Sequence, residues 1–139
     1  MKKILIILLV MFSFVYAIKL NTSMQQYMKI LEIQAQKENP KFKGFDYARG
    51  EQIFITEHIG KRGKPISCVI CHSNSISNKG RNIHTNKVIE PLSPFVNSIR
   101  FTKVKDVKKW LRRNFRDVYN RVGTAQEKGD VVTYIINKK

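Results

Sequence analysis

Two cysteines and a histidine fall within five consecutive residues, Cys68-Val69-Ile70-Cys71-His72, and no other cysteine occurs in the chain. Several chemistries use such a group. The thiols can join in a disulfide, but a bridge across two intervening residues closes a very small loop and removes little chain entropy. Thiolates and imidazole can hold zinc, which needs a fourth ligand. His58 and His84 are available, although the adjacency of Cys71 and His72 makes tetrahedral closure awkward. A thioredoxin-type dithiol would need a strand leading into a helix, and that context is missing. The remaining chemistry is covalent haem. Thiols add to its two vinyl groups, a spacing of two residues lets one turn of chain reach both, and the next imidazole lies under the iron. In that reading Cys68 and Cys71 are the tethers of one haem c and His72 is the proximal ligand of its iron.

The opposite face of the iron is less plainly written. Electron carriers of this size commonly use a methionine late in the chain, yet Met1, Met11, Met24 and Met28 all precede the motif. His84, twelve residues after His72, could complete a bis-His site, and His58, ten residues before Cys68, is a weaker candidate. Asn114 is the third. At roughly 100° per residue, Val107, Trp110, Leu111 and Val118 share a helical face, and Asn114 falls near its middle. Lys105, Lys108, Lys109, Arg112, Arg113 and Arg116 lie off that face. A carboxamide buried there without a partner costs about 1–3 kcal/mol. A backbone carbonyl, a water, a haem propionate or the iron would each satisfy it, and periodicity does not choose among them.

The elements that position these residues read as helices. Met24, Met28, Leu31 and Ala35 recur at helical spacing before Pro40. Phe45, Ala48 and Ile53 fall on roughly one face of a second helix, which leads into the basic, glycine-rich loop IGKRGKP. From Ser73 to Pro94 no long periodicity appears, and Gly80, Pro91 and Pro94 indicate a wrapping loop. Thr102 is a plausible N-cap for the helix carrying Val104, Val107, Leu111 and Val118. Thr124 and Glu127 form a capping box for a last helix through Val131, Val132, Ile135 and Ile136. There is no convincing strand. The expected fold is a small all-α, cytochrome c-like domain of about four helices wrapped round the haem, whose porphyrin supplements a thin core.

The chain has 139 residues. Lys2 and Lys3 precede an apolar run, Ile4 to Ile18, that is short for a membrane span of about 20 residues. Val15 and Ala17 suit cleavage after Ala17. Residues 1–17 are therefore read as a signal peptide, 18–40 as an N-terminal helical extension and 41–139 as the haem domain. An uncleaved anchor is the alternative, and either places the domain outside the cytoplasm. Cleavage lowers the formal charge from +16 to +14 by removing Lys2 and Lys3. Export, and basic residues spread without aromatic interleaving, exclude nucleic acid as a partner. The field suits an acidic redox protein.

The segment from Lys87 to Ile135, with SCVICH before it, resembles the SHP cytochromes (sphaeroides haem protein), small class I c-type cytochromes. The resemblance runs from about Phe45 to Ile136, and its specific parts are IEPLSP, RFT, VKKWLRRN and EKGD. It implies that Asn114, in the W-L-x-R-N pattern, is an axial ligand of the ferric iron that leaves on reduction. The ferrous iron then binds O2 or another small diatomic, NO or CO. It also implies a dihaem c-type cytochrome as redox partner, with a membrane cytochrome b sometimes in the pathway. One departure stands out. In the best-known member a cysteine follows the ligand asparagine, another lies eight residues on, and the two form a disulfide. Here those positions are Phe115 and Gly123, so packing by Phe115 must replace the bridge if anything does. No acid–base pair indicates an enzyme. A bis-His carrier without gas chemistry and a haem-based gas-sensing module are the competing functions.

Overall fold

A computed structural model describes residues 18–139. The expected signal peptide, residues 1–17, lies outside them. The described chain is all-α, with five helices: α1 (Thr22–Glu38), α2 (Tyr47–Ile55), α3 (Cys68–His72), α4 (Val104–Tyr119) and α5 (Ala125–Asn137). The helix added to the expected four is α3, the cysteine motif itself, which is too short to show a period. Two antiparallel ladders were also not foreseen. They pair β1 (His58–Ile59) with β2 (Pro65–Ile66), and β3 (Gly80–Arg81) with β4 (Val88–Ile89). At two residues per strand, neither offers an alternation that a sequence pattern can display.

Helix α1 begins where Asn21 accepts a hydrogen bond from the Met24 N–H, and it buries Met24, Tyr27, Leu31 and Ala35. Tyr27 takes the place expected of Met28, which is only half-buried. Both ends are tied to distant elements. Asn21 Nδ2 donates to the Thr102 carbonyl at 2.8 Å, and the Ala125 N–H donates to Glu38 Oε2 at 3.0 Å. The last carboxylate of α1 thus caps the first turn of α5, where an anion complements the helix dipole. The N-terminal extension is packed into the same core as the rest.

Helices α2 and α5 cross at Gly50. A Cβ there would collide with the Asp130 carbonyl and with Tyr134 Cβ, so only glycine permits this approach. Gly50 and Phe54 are buried, whereas Ala48 is exposed and Phe45 precedes the helix. The expected face of Phe45, Ala48 and Ile53 is therefore turned. The smallest residue, not the apolar spacing, sets the contact. Beside the crossing, Asp130 is 1% exposed. Its carboxylate accepts from Arg49 Nε at 2.8 Å, Arg49 Nη2 at 3.0 Å and the Asp46 N–H at 2.7 Å. Such charge-assisted bonds are the means by which a carboxylate is buried tolerably.

Helix α4 buries Val107, Leu111, Phe115 and Val118. Thr102 is not its cap: position Lys103 precedes the helix without a side-chain cap, and Thr102 Oγ1 donates instead to the Ile99 carbonyl at 2.7 Å. The chain leaves α4 through Asn120 in the left-handed conformation, φ 53°, which asparagine tolerates better than most residues. The expected capping box of α5 forms between Thr124 and Glu127. Arg121 adds two bonds to the Glu127 carboxylate, at 2.8 and 2.6 Å.

Arg121, before burial or any other influence, holds the Glu127 carboxyl below its usual range. A depressed acid stabilises the fold above its unfolded pKa, and that contribution is lost as pH falls through the folded value. Glu127→Gln keeps the capping geometry but loses the ion pair. It is expected to cost about 1 kcal/mol near neutrality. The gap from wild type should close in acid, as denaturant unfolding at a series of pH values would show.

Candidate metal centre

The loop before α3 makes a tight return. Gly63 takes φ 68°, the Gly60 N–H donates to the Lys64 carbonyl, and the Lys61 N–H donates to the Asp117 carbonyl, each at 3.0 Å. The last of these bonds matters most. It joins the segment that delivers Cys68 to the end of α4, three residues beyond Asn114. On the far side of α3, Gly80 lies directly against the Cys71 carbonyl, so the β3–β4 hairpin closes on the motif. The loop after that hairpin is gathered by Arg100, whose Nε donates to the Pro91 carbonyl at 2.8 Å and whose Nη2 donates to the Glu90 carbonyl at 2.6 Å. The Leu92 and Ser93 N–H groups both reach the Ile76 carbonyl at 2.9 Å.

Within this frame His72 Nδ1 is the only buried side-chain nitrogen or oxygen among the described residues without a hydrogen-bond partner. Its ring sits 6.1 Å from the buried Phe54 ring. Burial, and then the nearby Arg100 guanidinium, push the imidazole down to about 4, so it is neutral at physiological pH, the form that ligates metals. Burial pushes the Cys68 thiol up to about 12; Cys71 is half-buried. The motif thus presents two unbridged thiols and one neutral, unpartnered imidazole on a single short helix.

Asn114 is half-buried on α4. It lies at the border of the stripe that the protein itself buries, which includes Phe115. The cause is a contact outside the helix. A Cβ added to Gly123 would lie 2.8 Å from three atoms of the Phe115 ring. Phe115 therefore packs against the backbone of the turn before α5 and rotates α4 toward it. Phe115 and Gly123 are thus joined by an aromatic ring on a glycine.

The remaining histidines are elsewhere. His84 is exposed in the turn of the β3–β4 hairpin, its N–H donating to Asn82 Oδ1 at 2.9 Å. The ring of His58 stacks on Tyr119, centroids 4.1 Å apart. Among the described residues no three His, Cys, Asp or Glu side chains group as a metal site, which removes the support for zinc.

The chain matches the family described as a domain of unknown function, DUF1924, over residues 40–135. Cytochrome c'' of Methylophilus methylotrophus is 30% identical over 104 residues, covering 75% of this chain and 72% of that protein. The crystal structure of oxidised cytochrome c'' from that organism superposes with a TM-score of 0.74 at 27% identity, covering 85% of this chain and 96% of that one. Oxidised SHP, an oxygen-binding cytochrome c, superposes with a TM-score of 0.70 at 33% identity, covering 83% and 96%. The chain belongs to this cytochrome family.

Membership makes haem c, with its iron, the cofactor. The residues present fit it. Two free thiols at the attachment spacing and a neutral imidazole with an unsatisfied nitrogen are the groups that covalent attachment and proximal ligation require. Cys68, Cys71 and His72 are the residues that would hold it, with Asn114 the candidate for the other axial position. Two further residues shape the site without having been singled out for a role. Arg100 clamps the loop beside His72. The Tyr119 hydroxyl donates to the Ile53 carbonyl at 2.7 Å, pinning the end of α4 to α2. Neither side chain announces its partner, because a bond to a backbone carbonyl leaves no complementary residue in the sequence.

The packing on Gly123 is testable. Gly123→Ala is expected to destabilise by about 1–3 kcal/mol through overpacking, and Phe115→Ala by about 3–5 kcal/mol through the cavity it leaves. Thermal unfolding of both variants checks this. An unfolding temperature for Gly123→Ala equal to wild type would show that the ring does not bear on that backbone.

Proposed function

We propose that this chain is a periplasmic monohaem c-type cytochrome in which His72 and Asn114 are the axial ligands, carrying electrons and binding O2 or another small diatomic, NO or CO, when Asn114 leaves the ferrous iron. The observation that carries the proposal is the half-buried Asn114 at the border of the α4 stripe, in a chain with no methionine after His72. Two relatives support it. SHP is an oxygen-binding cytochrome c, and the solution structure of cytochrome c'', superposing with a TM-score of 0.72 at 28% identity, concerns haem-ligand detachment.

When bound, haem c supplies a one-electron couple and, in its reduced form, affinity for diatomic gases. The chain supplies an asymmetry around it. Cys68 and Cys71 would tether it covalently, and His72 is half-buried with its Nδ1 enclosed and unpartnered. The Asn114 carboxamide is a weaker donor, and at its half-buried position water can satisfy it after it turns away. The Phe115 packing and the Lys61 bond to the Asp117 carbonyl hold the helix backbone, so the side chain moves while α4 stays. These are the duties of an electron carrier and gas-binding protein rather than of an enzyme. Export by residues 1–17 would place it in the periplasm, and among the described residues no helix is long and apolar enough to cross a membrane. Its partner is an acidic redox protein such as a dihaem c-type cytochrome, with a membrane cytochrome b in the same pathway.

Asn114→Val decides the axial assignment. The ferric absorption and EPR spectra of the variant are expected to differ from wild type, and unchanged spectra would make the assignment wrong. Reduced wild-type protein mixed with CO should shift its spectrum quickly. No shift would favour a second, firmly held histidine.

A further inference from the structure

Four residues of helix advance the chain by about 6 Å and turn it by only about 40°. Trp110 and Asn114 are related in this way, so their side chains are neighbours on one side of α4. Down the helix axis, Asn114 lies between two flanks. Val107, Leu111, Phe115 and Val118 form one of them, and the protein itself buries these four. Trp110 stands on the other flank. It is the chain's only tryptophan, and the protein alone leaves it 45% exposed. Its ring is braced on one side. Lys109 Nζ lies 4.8 Å and Arg113 Cζ 5.3 Å from it, both in cation–π range. In the helical projection both cations lie on the side of Trp110 away from Asn114. A single exposed aromatic needs no explanation on an ordinary surface. This one stands one turn from the candidate ligand of an iron.

We propose that Trp110 is a haem-contact residue whose indole lies against the porphyrin beside Asn114 and walls the space that a diatomic ligand enters. This rests on the reading that Asn114 is an axial ligand, and it names a residue that limits what can replace it. With Asn114 on the iron, the porphyrin lies across this side of α4. The macrocycle reaches farther from its iron than the about 6 Å that separates Trp110 from Asn114 along the helix. The half-exposed indole is then part of the ground that the haem covers, and the porphyrin supplies the burial that the protein does not. When the carboxamide turns aside, the gap it leaves has Leu111 on one flank and Trp110 on the other. Leu111 is fixed in the core. The indole has only two side-chain torsions, and two cations brace it. The ligand can therefore move while the walls of its site stay. Such a gap admits a diatomic molecule and resists a bulkier one, because a rigid wall can yield only at the cost of strained rotamers.

The contact is tested in the wild-type holoprotein by proton NMR. With a single tryptophan, the indole signals are those that vanish in Trp110→Phe. In the diamagnetic CO complex they should be displaced by the porphyrin ring current and show Overhauser contacts to haem methyl protons. Should the reduced protein bind no CO because a histidine holds the iron, its low-spin ferrous form is also diamagnetic and is read in the same way. Indole signals at ordinary positions, without haem contacts, would overturn the proposal. The wall is tested separately, by CO recombination after flash photolysis and by imidazole titration of the ferric protein. Trp110→Ala should take up CO about tenfold faster and bind imidazole about tenfold more tightly, with Trp110→Phe close to wild type. Wild-type values in Trp110→Ala would leave a packing contact without a gating role and overturn that part. A Trp110→Ala chain that fails to take up haem is replaced by Trp110→Leu, and the NMR result stands without either. An error in the axial assignment appears elsewhere, in the Asn114→Val spectra.

Discussion

The backbones of α2 and α5 meet at Gly50, and the rest of the molecule is arranged around that contact. Because no side chain stands between the helices there, Phe54 is brought alongside His72 on one side and Asp130 can reach Arg49 and the Asp46 amide on the other. α5 is then a fixed post. Its first turn receives the Glu38 carboxylate from α1, and the turn before it offers Gly123 to Phe115. A glycine whose role is to be absent as a side chain thus decides where two helices and the imidazole stand. The same economy recurs at Gly80 against the Cys71 carbonyl.

His72 and Asn114 are both half-buried, but they differ in chemistry. The His72 Nδ1 is enclosed without a protein partner, and the imidazole is held neutral by its surroundings. Asn114 carries an uncharged carboxamide at the border of the α4 stripe.

Much of this was legible in the sequence because it depends on local rules. The capping box at Thr124 and Glu127, the periodicity of α1 and the cysteine motif each describe a chain segment on its own terms. What failed depended on contacts between segments. α4 was read from its own spacing without Phe115, and Gly123, nearly a helix length away from the start of that face, drew Phe115 in. α2 was read from its apolar residues, and its contact is made by a glycine. Thr102 looked like a cap and bonds backward to Ile99. The two ladders are too short to leave a pattern. Asn114 lay between these extremes: periodicity marked it as anomalous, the resemblance supplied its expected role, and the structure moved it to the edge of the stripe.

The Phe115–Gly123 packing also bears on how the protein is made. A chain that braces such a helix with a disulfide must oxidise one pair of thiols while keeping another pair reduced for haem attachment, and wrong pairings between the two sets are open to it. Here an aromatic ring on a glycine does the bracing, and the only thiols are Cys68 and Cys71. Oxidation of the chain can therefore close only one bridge within it, the one inside the attachment motif. One reduction returns the apoprotein to the state that haem can join.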